Sequence, residues 1–457
     1  MLKFKRPALL GALAASFFLL AAIGGCRSEP APPHIFVISI DTLRADYLQP
    51  YGSARAETPA AKRLAEGGTL FTRAITPMGI TIPVHATMLT GLAPRQHGLR
   101  ANVHQLSESI PLITERLQSA GYATASVLSL GAMNFISGLA RGFDYASDRD
   151  EDGRAFRRED PETLQLALDW LGRQDGQSPL FMLMHFYDVH EPHEPSEYSH
   201  QQLADYEGRL RDGISVETMY NDFEPLLERP DDIIAARTLY AGEVAEADQL
   251  VARFLEQLEA QNILDDSVVI LVADHGQGLG ENGYFGHGPT LEQTVLHVPI
   301  IVHDFRRSTK TRHIAQNVGL IDLAPTLLSL AGLPSEDLPG RNLMQIDESD
   351  EPVIYLSEVE QRSTDTAFRP ENFDDQALAV YFGDYKLVDQ DGELRLFRIG
   401  SEWGHDIEPV GLDGLHESMQ VWLTDYMDAY RDGSMTSQQA DLNDEAIEHL
   451  RSLGYIQ

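Results

Sequence analysis

The chain has 457 residues, 43% of them hydrophobic and 23% charged. It can therefore bury a large core, and its composition argues against extended disorder. Its 35 Lys and Arg residues against 70 Asp and Glu residues give a formal charge of −35. We expect a solvated acidic surface and no nucleic-acid partner, because a phosphate backbone needs a basic footprint.

The N-terminus, "MLKFKRPALLGALAASFFLLAAIGGCRSEP", has the layout of a secretory signal, with basic residues ahead of an apolar run. Cys26 is the only cysteine, and it follows two glycines at the end of that run, which resembles a bacterial lipoprotein cleavage box. We expect residues 1–25 to be a signal peptide, Cys26 to be lipidated, and residues 26–33 to form a tether. The protein would then be exported and held on a bacterial membrane by its lipid anchor only, facing the periplasm or the exterior. An uncleaved membrane anchor is the alternative, since the run approaches the ~20 residues that span a bilayer.

Five apolar runs are typical of strands buried on both faces, namely residues 35–40, 123–130, 180–186, 268–273 and 299–303. Helix-like segments at residues 161–171, 235–258 and 320–330 lie between or after them. This alternation predicts an α/β fold with a large, doubly wound, mostly parallel sheet, for which we assign residues 34–360.

Two further segments differ from this pattern of apolar runs and helix-like segments. Residues 194–231 are acidic and lack clear periodicity, which is compatible either with a lid or substrate wall or with a solvated surface insertion. From residue 377 the pattern alternates, with turn signals at Gly383-Asp384 and Asp391-Gly392, which predicts an antiparallel meander. We therefore expect a small antiparallel α+β subdomain over residues 377–457, with a final amphipathic helix near residues 444–453.

Acidic and imidazole side chains follow three of the predicted strands. Asp41 follows the first, Asp188 and His190 follow the third, and Asp274-His275 follows the fourth. Ligand sites in open α/β sheets gather outside the carboxyl ends of the strands, and a divalent cation is held by carboxylate oxygens and imidazole nitrogens. These positions predict a metal site. His287 lies downstream in a glycine-rich loop, where the backbone can approach a ligand closely.

The stretch "TIPVHATMLTG" reads as the opening of a helix that ends at Gly91, with Pro83 as its first helical residue. Thr81 would then lie at the N-terminal end of that helix, where the helix dipole and free amide groups favour an anion. A metal beside it would lower the pKa of its hydroxyl and make it a nucleophile. The alternative is that Thr81 is only an N-cap.

The chain resembles the sulfatase family of the alkaline phosphatase superfamily. The resemblance is carried by "FVISIDTLRADYLQPYG", "TIPVHATMLTGLAPRQHG", "RGFDY", "VADHGQGLGENGYFGHG" and "IDLAPTLLSLAGLP", and by the C-terminal "GDYKLV" and "GELRLF". It implies a large α/β fold with one or two metal ions at the strand ends. Sulfatases carry Cys or Ser, then any residue, Pro, Ser or Ala, and Arg, and oxidise the first residue to formylglycine. Here Thr81 to His85 occupy those positions, and threonine cannot give that aldehyde.

A second departure concerns the anion clamp. Sulfatases place Lys-x-His after "GYxT", whereas this chain has Leu128, Ser129 and Leu130. The remaining pattern is similar to the threonine-nucleophile branch of the superfamily, to which phosphodiesterase and phosphonate-hydrolase relatives belong. That similarity implies a covalent intermediate on Thr81.

The same similarity assigns the other site residues. One metal ion would be held by Asp41, Thr81, Asp274 and His275. A second metal ion, or the anionic group itself, would be held by Asp188, His190 and His287, of which His190 and His287 would also protonate the leaving oxygen. His85 would bind the substrate in place of the family's arginine. His185 and His193 are weaker candidates, better explained as core or surface residues, and Gln277 and Asn282 replace Glu and His at the second metal site.

The sequence thus predicts a metal-dependent hydrolase of phosphate, phosphonate or sulfate esters. The ion would be zinc, manganese or calcium, with one or two per chain, and the substrate a small-molecule, glycan or lipid anionic ester. One alternative is sulfuric ester hydrolysis proper, with Thr81 attacking sulfur. A third possibility is a degenerate lipoprotein that binds an anion without turning it over.

Overall fold

The computed structural model describes residues 31–102, 104–130, 133, 137–147, 157–221, 223–288, 290–308, 310–350, 353–360, 376–390, 392–400, 407–412 and 417–431. The predictions for the signal peptide, for Cys26 and for the helix near residues 444–453 lie outside these residues. Among the residues described, none of the helices combines the length and the hydrophobicity that a membrane crossing requires.

The larger sheet has eight strands, and a two-stranded ribbon lies apart from it. In chain order these strands are β1 (His34–Ile40), β2 (Thr69–Ile75), β3 (Ala123–Leu128), β4 (Tyr145–Ala146), β5 (Leu180–Phe186), β6 (Ser267–Val272), the ribbon strands β7 (Gly278–Leu279) and β8 (Phe285–Gly286), β9 (His297–Asp304) and β10 (Arg312–Gly319). The sheet order is β10-β2-β9-β6-β1-β5-β3-β4. All neighbours are parallel except β9, which is antiparallel to both β2 and β6. The predicted mostly parallel sheet is confirmed.

Strands β2 and β10 were not predicted from the sequence. Thr72 and Arg73 in β2 are only partly buried, and they interrupt the apolar run that reveals the central strands. Strand β10 is similarly mixed and lies at the edge of the sheet, where one side needs no partner strand. Strands with such polar interruptions lack the continuous apolar signal of a fully buried strand.

The described residues contain twelve α-helices, nine of which pack in two groups. They are α1 (Pro59–Ala65), α2 (Thr81–Thr90), α3 (Pro94–His97), α4 (Ile113–Ser119), α5 (Asp160–Leu171), α6 (Glu197–Gln202), α7 (Val216–Asn221), α8 (Glu224–Leu227), α9 (Pro230–Ala260), α10 (Gln293–Leu296), α11 (Leu323–Leu330) and α12 (Glu417–Arg431). The long α9 packs on α1, α5, α6 and α8, whereas α2 packs on α3, α4 and α11. Two helical groups around one sheet are what a doubly wound fold requires.

A second, smaller sheet is antiparallel throughout. Its strands are β11 (Tyr355–Glu360), β12 (Gln376–Phe382), β13 (Tyr385–Gln390), β14 (Glu393–Ile399) and β15 (Ile407–Val410). Strands β12 to β14 are the predicted meander, and β11 and β15 extend it at either edge. Its core also contains Ile75 and Leu296 from the large sheet's side of the molecule. The small sheet therefore packs against segments that enter and leave the large one.

The acidic segment at residues 194–231 contains three short helices, α6 to α8. Met219 and Leu226 are fully buried, and the Met219 sulfur accepts a hydrogen bond of 3.1 Å from the Gln277 side-chain amide. Gln277 follows two residues after His275, so part of the segment lies against the loop after β6. It is packed onto the protein there rather than being a solvated insertion throughout.

Candidate active site

The chain topology brings the predicted residues to one edge of the large sheet. Strand β1 is parallel to both β5 and β6, with Ile40 opposite Phe186 and Ser39 opposite Val272. The three strands therefore end side by side, and the residues that follow them meet at the same edge. Because β9 is antiparallel, it begins at this edge, and α10 just before it lies there too.

Asp41, Asp274 and His275 form the centre of this edge. All three are fully buried, and their ligand atoms lie within 4.8 Å of one another. The His275 Nε2 atom is 3.7 Å from Asp41 Oδ1 and 3.6 Å from Asp274 Oδ2. Neither of these two carboxylate oxygens has a hydrogen-bond partner within the described residues. Buried carboxylate oxygens need a partner, so the donor set fits a divalent cation.

The histidine of this group has the protonation that a ligand needs. The His275 Nδ1 atom lies 3.1 Å from the Gly276 carbonyl oxygen, which can only accept, so Nδ1 carries the proton. The Nε2 lone pair is then directed at the carboxylates. This is the usual arrangement of metal-binding histidines, whose second nitrogen donates to a carbonyl or carboxylate. Burial and the nearby His287 keep the pKa of His275 well below its usual value, so the ring is neutral.

The charge balance at this edge also calls for a cation. Burial raises the pKa of the Asp41 carboxyl well above its usual range, and the neighbouring Asp274 carboxylate raises it further. Two buried carboxylates this close repel each other when both are ionised. A positive charge between them would remove that repulsion.

Thr81 lies beside the same group. It is the first residue of α2, it is 2% exposed, and its Oγ1 atom lies 3.4 Å from Asp41 Oδ2 and 3.5 Å from His275 Nε2. The helix thus begins two residues before Pro83, and the missing N–H of Pro83 costs nothing because the first four amides of a helix have no intrahelical acceptor. Gly91 ends the helix with φ at 69°. Ile80 occupies the N-cap position and Thr81 is the first helical residue, so Thr81 is not the predicted alternative, an N-cap.

His190 and His287 form a second group together with Glu191. The two Nε2 atoms are 2.8 Å apart, and His287 Nε2 is 3.4 Å from Glu191 Oε1. Burial alone would lower the pKa of His287, but Glu191, Asp41 and Asp274 together raise it to about 9. Burial lowers the pKa of His190 to about 3. One imidazole is therefore charged and its neighbour is neutral.

The loop that carries His287 approaches the helix of Thr81 through two glycines. Gly79 and Gly288 form an isolated antiparallel bridge, and a Cβ atom on Gly79 would lie 2.7 Å from the Gly288 carbonyl oxygen. Only glycine allows this contact. It places His287 next to the segment that leads into Thr81.

Glu191 was missed from the sequence, and Asp188 lies elsewhere. Glu191 is 3% exposed and accepts a hydrogen bond of 2.9 Å from the Gln277 side-chain amide. Its only signal in the sequence is its position directly after His190. Asp188 instead accepts from the backbone N–H of Asp160 at 2.8 Å, at the start of α5. Its other oxygen is 3.8 Å from Arg157. The structure therefore groups Glu191, and not Asp188, with the two histidines.

The structure requires a correction for His85. This side chain is fully buried; its Nδ1 atom donates to the Thr81 carbonyl oxygen at 2.9 Å, and its Nε2 atom accepts from the Ser39 hydroxyl at 3.0 Å. Both ring nitrogens are engaged inside the protein, so His85 has none to offer a substrate. It braces the first turn of α2 instead.

Two histidines that the sequence ranked lower are both fully buried. The His185 Nε2 atom lies 3.4 Å from Asp41 Oδ2. Burial lowers the pKa of His185 to about 4, so a neutral imidazole ring lies against the Asp41 carboxyl group. The His193 Nδ1 atom lies 2.6 Å from Glu243 in α9. Both side chains are core residues, as predicted, although His185 directly contacts a site residue.

Comparison with known proteins agrees with this architecture. The Sulfatase family model matches residues 33–333. An arylsulfatase of Clostridium perfringens is 24% identical over 389 residues, covering 69% of this chain and 78% of its own length. The crystal structure of the phosphonate monoester hydrolase of Agrobacterium radiobacter aligns with a TM-score of 0.69 at 18% identity, over 88% of this chain and 96% of that one.

A third similar structure was solved with its substrate D-glucosamine-2-N,6-O-disulfate; it has a TM-score of 0.71 at 17% identity and covers 90% of this chain and all of that one. The fold and the relatives thus define an α/β enzyme that acts on ester bonds. The chain belongs to the sulfatase family.

Proposed function

We propose that the protein is a metal-dependent hydrolase of anionic esters of phosphorus or sulfur, with Thr81 as its nucleophile. The observation that carries this proposal is the position of the Thr81 hydroxyl, at the first residue of a helix and 3.4–3.5 Å from Asp41 and His275. The helix N-terminus favours the anionic group of the substrate. The buried carboxylates and the His275 lone pair favour a cation of the zinc, manganese or calcium type.

A divalent cation bound by Asp41, Asp274 and His275 would lower the pKa of the Thr81 hydroxyl and offset the charge of the ester. Thr81 Oγ1 gives up its proton to solvent and forms a bond to phosphorus or sulfur, while the bond from that atom to the ester alcohol breaks. The leaving alcohol oxygen takes its proton from His287, whose charge is held by Glu191. Water then breaks the Thr81 ester and restores the hydroxyl.

The number of ions depends on the second group of residues. His190, Glu191 and His287 have ligand atoms close enough to hold another cation, and the same three side chains can instead bind the anionic group and supply the proton. Elemental analysis of the purified protein separates the two cases. One ion per chain favours the proton-donor role of His287, and two ions favour the metal-ligand role.

Phosphorus esters fit the site better than sulfate esters. Leu128 is fully buried and Leu130 takes a backbone bridge to Arg157, so the basic clamp that sulfatases place at these positions is replaced by apolar residues. Sulfate ester hydrolysis remains the second candidate because the curated relatives include an arylsulfatase. The candidate substrates are esters of a small molecule, a glycan or a lipid, and a similar structure was solved with its substrate D-glucosamine-2-N,6-O-disulfate.

The decisive experiment measures turnover of 4-nitrophenyl esters by protein loaded with zinc, manganese or calcium. Bis(4-nitrophenyl) phosphate, 4-nitrophenyl phenylphosphonate, 4-nitrophenyl phosphate and 4-nitrophenyl sulfate are compared. We expect Thr81→Ala to abolish turnover and Thr81→Ser to keep a part of it, and acid quenching to trap a covalent adduct on the peptide that contains Thr81. Equal activity of wild type and Thr81→Ala would overturn the proposal. Metal binding without any turnover would favour the anion-binding lipoprotein.

We also propose that the protein is exported and anchored by lipid at Cys26. The support is the signal-like N-terminus with its one cysteine. Labelling cells with an alkyne-tagged fatty acid should mark the wild type and leave Cys26→Ser unmarked. Label on both proteins, or on neither, would overturn this proposal.

A further inference from the structure

The small sheet contacts the candidate site through α10, a four-residue helix. Three successive carbonyl oxygens of α10 accept hydrogen bonds from outside the helix. Thr294 accepts from Gln277 N at 3.1 Å, Val295 accepts from Gly276 N at 2.8 Å, and Leu296 accepts from Thr76 N at 3.0 Å. The last carbonyls of any helix lack intrahelical partners, and here they hold two other segments in place.

Those two segments lie next to two residues of the candidate site, His275 and Thr81. Gly276 and Gln277 directly follow His275, and a Cβ atom on Gly276 would lie 2.1 Å from the Thr294 carbonyl oxygen, which shows how closely α10 approaches the loop after β6. Thr76 lies five residues before Thr81. Helix α10 therefore ties the segment after a cation ligand to the segment before the nucleophile.

The small sheet grips α10 and the loop just before it. Lys386 in β13 is 1% exposed, and its Nζ donates to the Leu291 carbonyl oxygen. The Nζ atom also lies 5.4 Å from the centre of the Tyr381 ring. Tyr381 in β12 is fully buried and donates its hydroxyl proton to Gln293 Oε1 at 3.1 Å. Burying a lysine side chain costs free energy unless its ammonium group has partners. The Leu291 carbonyl oxygen and the Tyr381 ring are those partners here.

The same sheet also holds the segment in front of Thr81 directly. The Ser357 hydroxyl in β11 donates to the Thr76 carbonyl oxygen at 2.7 Å, and Glu358 N donates to the Pro77 carbonyl oxygen at 2.8 Å. Ser357 is fully buried. Strand β11 thus contacts the segment before Thr81 directly, whereas β12 and β13 contact α10 and the loop before it, and α10 in turn binds both segments.

We propose that the C-terminal sheet is part of the active-site scaffold and that Tyr381, Lys386 and Ser357 are positioning residues for Thr81 and His275. They act through α10 and residues 76–77, without touching the substrate. This inference rests on the proposed function, because it presupposes the roles proposed there for Thr81 and His275. Its geometry, however, can be tested without any turnover.

The test uses Tyr381→Phe, Lys386→Met and Ser357→Ala in the full chain, with Val380→Ala as the matched control. Val380 is fully buried in β12 next to Tyr381, and adjacent strand residues point to opposite faces. The control therefore removes buried methyl groups from the same sheet without removing a contact to α10. Thermal unfolding first establishes that all measurements are made well below each midpoint.

Hydrogen–deuterium exchange and metal affinity are then measured. We expect faster exchange in peptides that cover residues 274–280 and 291–298, and for Ser357→Ala in those covering residues 76–82, with no change there in Val380→Ala. The Kd for zinc, from competition with a chromophoric chelator, should rise about tenfold in the variants, as for other residues that support ligands. Exchange rates and Kd equal to those of wild type would overturn the inference.

This design distinguishes failure of the proposed function from failure of the scaffold inference. If the wild type binds no metal and turns over no ester, the proposed function fails, while the exchange experiment still tests the scaffold. If Thr81→Ala abolishes activity but the sheet variants behave like Val380→Ala, only the scaffold inference fails. Tyr381→Phe removes a single oxygen atom, so it keeps the test valid if Lys386→Met does not fold.

Discussion

The Nε2 atoms of His190 and His287 lie 2.8 Å apart, and their surroundings determine which of them carries the proton. The His190 Nδ1 atom lies 2.8 Å from the Glu191 carbonyl oxygen, so it must donate, and His190 Nε2 is left to accept. The His287 Nδ1 atom faces the Gly79 carbonyl oxygen at 3.4 Å. His287 therefore donates from both nitrogens and is an imidazolium, in agreement with its raised pKa.

An imidazolium beside the segment that leads into Thr81 suits the protonation of a leaving alcohol. We predict that His287→Gln lowers kcat/KM for alkyl esters by about 10²–10⁴-fold, the usual contribution of a general acid. For 4-nitrophenyl esters the loss should be about tenfold or less, since 4-nitrophenolate leaves without a proton. The measurement is kcat/KM across a series of esters with increasingly basic leaving groups. An equal loss for all esters would show that His287 has another role, such as binding a second metal ion.

The charge on His287 depends on its acidic neighbours, and this gives a second prediction. The pKa of His287 in the metal-free protein should be near 9. Glu191→Gln should lower it, because the largest favourable charge is removed, and zinc should also lower it, because a cation offsets Asp41 and Asp274. Ring-proton NMR titration checks both signs. His303 lies at the opposite end of β9 and serves as the internal control; a His287 pKa unaffected by either change would contradict the assignment.

The sequence predicted the central residues of the candidate site because they follow strands. Asp41 and Asp274-His275 come directly after long apolar runs, and parallel strands bring such positions together whatever the details of the loops. Thr81 could be predicted because its helix has a clear beginning and end. Glu191 and Asp188 could not be separated in this way, since both lie in the turn after β5 and its backbone path decides which one faces His287.

His85 shows a different limit of the sequence. Its position matches an active-site arginine of the family, but imidazole is shorter and has both a donor and an acceptor nitrogen. The structure satisfies both nitrogens with Ser39 and the Thr81 carbonyl. A family motif thus located the residue correctly, whereas its role depended on hydrogen-bond partners that are distant in the sequence.

The repulsion between buried carboxylates leads to a third prediction. Asp41→Asn should lower the affinity for zinc by about 100-fold or more, since a charged ligand becomes a neutral amide. In the metal-free protein the same change should leave the free energy of unfolding unchanged or raise it by about 1 kcal/mol, because the amide does not repel Asp274 as an ionised Asp41 carboxylate does. Urea unfolding in the presence of a chelator, together with zinc titration, measures both. A destabilised metal-free variant with normal zinc affinity would show that Asp41 has a structural role instead.

Lys386 gives a fourth prediction, on the pH dependence of stability. Burial lowers the pKa of Lys386 from 10.5 to about 8, against a smaller opposing effect of Glu292. The unfolded chain therefore binds more protons than the folded protein between these two values. It follows that the contribution of Lys386 to the free energy of unfolding rises with pH, by about 2 kcal/mol between about pH 7 and about pH 9.5.

Lys386→Met lacks this contribution, so its loss of stability relative to wild type should grow over the same pH range. Urea unfolding at several pH values measures the difference, which cancels the titration of all other groups. Val380→Ala has no titrating side chain at its position, and its difference from wild type should stay constant. A constant difference for Lys386→Met would mean that the ammonium group keeps an ordinary pKa in the folded protein, and that its contacts with Leu291 and Tyr381 offset its burial.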